Sequence, residues 1–249
     1  MNSIAASRPA KPVLPHAHDR AFYTGMAVAM AVTVFVGFAP TFYLRAFLPP
    51  RPTISGAVTL TPLAYVHGGL FTGWMVLFLV QTSLVAARRV DIHRRLGLLG
   101  VGMAAAMVVV GTWTAIAAAA RGAAPPGVDP LVFLAIPLGD MVLFAPLVAT
   151  AFWLRRNKEA HKRLMLLAFI SLLAAAVARW PGVQPLGPPA FYGLSYLFIV
   201  AGVVYDLATR RRIHSVYIWG GLFLVLSVPL RLWISGTEAW RAFAEFLTR

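Results

Sequence analysis

The chain has 249 residues, of which 59% are hydrophobic and only 12% charged, and its mean hydropathy is +0.76. That balance lies outside the range of a soluble domain with a polar shell. The formal net charge of +14 falls in short clusters between apolar runs, where basic residues set membrane topology and meet anionic lipid headgroups, so nucleic-acid binding is set aside.

Several apolar runs reach the roughly 20 residues that a helix needs to cross a hydrocarbon core, and the period-2 alternation of a barrel is absent. The expected fold class is all-α, a polytopic bundle of seven transmembrane helices over residues 21–45, 59–86, 95–120, 130–154, 163–180, 188–208 and 214–235. Residues 1–20 lack the apolar core of a signal peptide and read as a mobile cytoplasmic tail. Residues 21–237 then form one membrane domain. Residues 238–249 place Trp240, Phe243, Phe246 and Leu247 at helical spacing between charges, as in an amphipathic helix lying on the outer interface. With the N-terminus inside, the inner side carries three Lys and Arg residues in the tail, four over residues 88–95, five over 155–163 and three over 210–212, against seven outside. The positive-inside rule therefore predicts N-in and C-out, in the inner (plasma) membrane of a bacterium. The breakers gather in the outer connections, at Pro49, Pro50 and Pro52, at Pro125, Pro126 and Gly127, and at Pro181, Pro185, Pro188 and Pro189.

One motif occurs twice. Asp91, His93, Arg94, Arg95 and Leu96 recur 68 positions later as Glu159, His161, Lys162, Arg163 and Leu164. Each copy joins two apolar runs, so spans two and three repeat as spans four and five. Two crossings per unit make the copies parallel, related by an axis along the membrane normal, which brings His93 and His161 to one depth. His214 opens span seven at the same face. Imidazoles ligate haem iron or a metal, and neighbouring guanidinium groups suit propionates or lipid phosphates. Three arrangements fit the residues: both axial ligands of one b-type haem from His93 and His161, with Arg94, Arg95, Lys162 and Arg163 near its propionates; a three-histidine metal site that adds His214; or a polar cluster marking where helices emerge among headgroups.

His67, the apolar helix after it, the arginine pair and the run from Ile92 to Leu98, with its helix-opening His93 before Leu96-Gly97, resemble the second and third helices of the ascorbate-reducible diheme cytochromes b. In that family successive core helices each give one histidine, and the third and fifth share a haem. The resemblance implies electron transfer and pairs His93 with His161. Span four has no histidine to partner His67, so it implies one haem rather than two.

A second constellation lies in the outer half of the membrane. His67 and Asp140 stand deep in their spans, where an ionisable group costs roughly 2.5–3.5 kcal/mol and faces a partner or a wet cavity. Arg179 and Arg231 are the candidate partners of Asp140. His67, Trp74 and Gln81 recur at a spacing of seven, which places a polar and aromatic stripe on one helix face. Together His67, Trp74, Gln81, Asp140 and Arg179 could line a cavity for a small amphipathic or anionic molecule, or His67 and Asp140 could form a structural hydrogen bond. A third alternative is a non-catalytic accessory subunit that packs against a membrane-protein partner. No His-Glu-x-x-His and no phosphate-binding glycine loop occurs, no catalytic residue is assigned, and Lys11, Lys158 and Lys162 all lie outside the expected spans, which removes a retinal Schiff base.

Overall fold

Every long apolar run of the chain is helical in the computed structural model, which describes residues 15–49 and 51–249. The helices are α1 (Pro15–Phe38), α2 (Pro62–Ala86), α3 (Val90–Ala120), α4 (Pro130–Trp153), α5 (Lys158–Val177), α6 (Pro188–Arg210), α7 (Ser215–Ser235) and α8 (Glu238–Thr248). Seven of them, α1 to α7, are long and apolar enough to cross a bilayer, and no strand occurs among the described residues. Prolines start α2, α4 and α6, where the missing N–H is one that a helix start leaves unpaired in any case. Side chains close most other starts. Thr61 accepts from the Ala64 N–H, Asp129 from those of Leu131 and Val132, Asn157 from Ala160, and Thr237 from Trp240.

Helix α1 begins at Pro15, inside the segment expected to be a mobile tail. Residues 15–20 are helical because Asp19 is tied to α5 and α6 by ion pairs; residues 1–14 lie outside the described residues. The helix continues as a π-helical segment, Ala39–Tyr43. Helices α3 and α5 also start earlier than expected, at Val90 and Lys158, because their charged first turns are helical.

The centre of the bundle is α5, which packs against α1, α4, α6 and α7 and buries Leu166, Leu167, Ala168, Ile170 and Leu173 almost completely. Around it run two antiparallel hairpins, α2–α3 and α4–α5, joined by packing of α3 on α4. The turns after α2, α4 and α6 and the start of α1 gather at one end, here the basic end, since Asp19 reaches Lys162 and Arg210, Arg163 reaches Asp206, and His93 lies beside His161. Exposed tryptophans stand near both ends, Trp153 and Trp219 at the basic end and Trp233 at the far end, as in the aromatic belts of membrane proteins. Helix α8 closes the far end. Its Ala244 packs with Ala115, Ala119 and Leu134, Trp240 donates to the Leu131 carbonyl at 2.8 Å, and Phe243 and Phe246 remain exposed.

Backbone conformation separates the two ends. Positive φ at the far end occurs at glycines, whereas at the basic end Arg88 (φ 62°) and Arg211 (φ 57°) adopt it. For an L-residue the left-handed region costs roughly 1 kcal/mol.

Candidate functional site

The paired histidines occupy equivalent places, each the fourth residue of its helix, α3 or α5. Their ring centres are 6.3 Å apart with planes inclined at 80°. His161 Nδ1 lies 2.8 Å from the Ala151 carbonyl in the last turn of α4. Because a carbonyl only accepts, Nδ1 carries a proton, and in the neutral ring this leaves the lone pair on Nε2, the tautomer that a metal-binding imidazole requires. His93 Nδ1 is buried with no partner.

Three more buried polar atoms without partners lie along one face of α2: His67 Nδ1, Trp74 Nε1 and Gln81 Oε1. Gln81 lies near the start of α3, where a Cβ on Gly97 would come 3.9 Å from its Nε2. Trp74 meets Phe144 edge to face at 5.4 Å, and His67 stacks on Phe71 at 4.1 Å. An unpaired buried polar atom costs about 1–3 kcal/mol, and natural proteins rarely leave one without water or a ligand to complete it. The stripe expected at a spacing of seven therefore faces the interior.

Lys162 and Arg163 turn away from the histidine pair into a cluster of matched charges. Lys162 binds Asp19 and Glu159, both at 2.6 Å. Arg163, fully buried, binds Glu159 at 2.8 Å and Asp206 through both Nε (2.9 Å) and Nη2. Arg210 joins Asp19 at 2.7 Å and Glu159 at 3.3 Å, and the Tyr205 hydroxyl donates to Asp19. Three carboxylates thus balance three cations and clasp α1, α5 and α6 together. His214 belongs to this cluster rather than to the histidine pair. Its backbone N–H donates to Asp206 Oδ2 at 3.2 Å, and its Nδ1 caps α7 at the Val216 N–H. Burial holds its pKa below the ordinary histidine value. Among the described residues no three His, Asp or Glu side chains converge on a point that could hold a metal ion, so the three-histidine arrangement is not assembled. Arg94 and Arg95 are exposed.

In the far half Asp140 pairs with Arg231, not Arg179, at 2.6 Å, and Asp140 Oδ1 also accepts from the Tyr192 hydroxyl at 3.0 Å. Arg231 reaches Asp140 across Gly139, where any Cβ would collide with its side chain. Arg179 bonds to the Ala175 carbonyl and lies over the Phe38 ring at 4.4 Å. No hydrogen bond joins His67 to Asp140. Clefts among the described residues lie elsewhere. One of about 290 Å³ lies between α1 and α2 (Val28, Phe35, Met75, Leu79), and one of about 250 Å³ lies beside α8 (Asp129, Trp240, Arg241). None of His67, Trp74, Gln81, Asp140 and Arg179 lines either.

The sequence reading missed Asp206, Tyr192 and the burial of Arg163. Asp206 carried a usable signal, an acid inside an apolar span; Tyr192 carried none. Comparison with protein-family models, curated proteins and solved structures returns no significant match. Fold and composition define an all-α integral membrane protein with seven candidate spans.

Proposed function

We propose that this protein transfers electrons within the membrane through one b-type haem, held by His93 and His161 near the basic end. The observation that carries this reading is the 6.3 Å between the two ring centres. A separation of this size would let His93 and His161 hold one haem iron between their imidazole rings, and the iron would supply the one-electron chemistry. His161 has the free Nε2 that ligation needs, with the Ala151 carbonyl fixing its ring. Lys162 and Arg163 are committed to carboxylates, which leaves Arg94 and Arg95, exposed beside His93, to meet the propionates. In this reading the basic end faces the cytoplasm and its anionic headgroups, with the N-terminus inside.

Protein purified after haem-supplemented expression is expected to show a Soret band that His93→Ala and His161→Ala each abolish. Colourless wild-type protein would overturn the proposal. The unpartnered His67, Trp74 and Gln81 favour a second reading, in which a small polar molecule binds along the inward face of α2. It predicts an unchanged spectrum in Gln81→Leu and a lost binding response.

A further inference from the structure

Positive φ angles divide the molecule by face. Gly56, Gly122, Gly127, Gly182 and Gly187 adopt them at the far end, in the connections after α1, α3 and α5. Among the described residues of the basic end, those that adopt them are Arg88, after α2, and Arg211, at the end of α6. Glycine fills a left-handed position after a helix without steric penalty. A chain with 20 glycines therefore uses them at these positions on one face and puts arginine there on the other. Topology does not demand that choice, because the positive-inside rule counts basic residues over a whole turn. Arg89, Arg94, Arg95 and Arg212 supply charge from unstrained positions. Nor does the fold use these side chains. Both are exposed, and their backbone N–H groups bond to Val85 and Leu207. Asp91, the acid of the Arg88 turn, pairs with Arg89 at 3.7 Å, and the basic-end acids Asp19, Glu159 and Asp206 are taken up by Lys162, Arg163 and Arg210.

We infer that Arg88 and Arg211 are phosphodiester-binding positions that hold anionic phospholipid headgroups at the basic face. The inference rests on the reading that this face meets an anionic leaflet, and it names the residues and the ligand chemistry. A guanidinium forks onto phosphate oxygens in a way that a lysine ammonium does not. The exposed Trp153 and Trp219 put these turns at headgroup depth, where an anionic surface attracts each basic side chain.

The test compares wild type, the double variant Arg88→Gly/Arg211→Gly and the double variant Arg88→Lys/Arg211→Lys in nanodiscs. One set of discs is pure phosphatidylcholine and the other contains phosphatidylglycerol. In phosphatidylcholine the glycine variant should melt about 4–8 °C above wild type, because the backbone strain at both positions is relieved. In phosphatidylglycerol wild type should gain melting temperature, the glycine variant should lose most of that gain, and the lysine variant should keep part of it. A glycine variant that keeps the whole gain overturns the assignment, as does one that melts below wild type in phosphatidylcholine. Inorganic phosphate added to phosphatidylcholine discs should produce no gain; a gain equal to that of the lipid would move the site to a soluble anion and overturn the lipid assignment. Nanodiscs expose both faces, so a failure here is independent of orientation and of haem content.

Discussion

Asp140 and Arg231 are each recognisable in the sequence as a charge in an apolar run, and each depends on the other. Their 2.6 Å contact is completed by the Tyr192 hydroxyl and by the Ser227 and Ile136 carbonyls around Arg231. Removing one member of such a pair strands its partner in a medium that cannot solvate it. Arg231→Met should therefore destabilise the protein by about 3–5 kcal/mol, read as a large drop in melting temperature in detergent. Adding Asp140→Asn should restore most of the loss, since a buried pair can be replaced by neutral groups at little cost. A double variant as unstable as the single one would refute this account. The depth of Asp140 was legible in the sequence because charges are rare in apolar spans. The choice of Arg231 over Arg179 was not, because it depends on which face of α7 meets Gly139. Arg163 shows the opposite difficulty. It lies in a basic cluster that reads as headgroup-facing, yet it is fully buried because Asp206, 43 residues later, meets it inside the bundle.

At the level of elements, the apolar runs predicted all seven spans, while the ends of α1, α3 and α5 lay in charged sequence that hydropathy assigns to loops. The charged starts of α1 and α5 stay helical because the clasp of Asp19, Glu159, Asp206, Lys162, Arg163 and Arg210 satisfies them, whereas that of α3 carries only the exposed Arg89–Asp91 pair at 3.7 Å. Further along α1 a different contact sets its approach to α5. Gly37 faces the backbone of Ala176, and a Cβ there would overlap the Ala176 carbonyl. A flexible side chain could turn aside, but a helix backbone cannot, so the two helices touch only because residue 37 has no side chain. Gly37→Val should cost about 1–3 kcal/mol as overpacking. Gly25→Val on the same helix meets nothing within 4 Å and serves as the control. Equal melting temperatures for the two variants would show that α1 can shift along α5 without penalty.

Across the whole molecule, function depends on which side of the membrane the basic end occupies. The charges of the clasp cancel, and Asp91 offsets only Arg89 among the arginines of its turn, at 3.7 Å. The exposed arginines and lysine of the three basic turns therefore present an almost unbalanced positive surface. Moving such a surface across a membrane is what the positive-inside rule disfavours, so the turns after α2, α4 and α6 should remain cytoplasmic. A chain with no cysteine makes this directly measurable. Ala87→Cys and Val128→Cys each place one thiol in an exposed connection, at the basic and far ends respectively. In right-side-out vesicles a membrane-impermeant maleimide should label Val128→Cys and leave Ala87→Cys unreacted until the membrane is permeabilised. The reverse pattern would place the basic end outside. The histidine pair lies at the basic end, about four residues or ~6 Å along its helices, so the expected pattern would put the pair on the cytoplasmic side and the reversed pattern on the other, and the proposed haem with it.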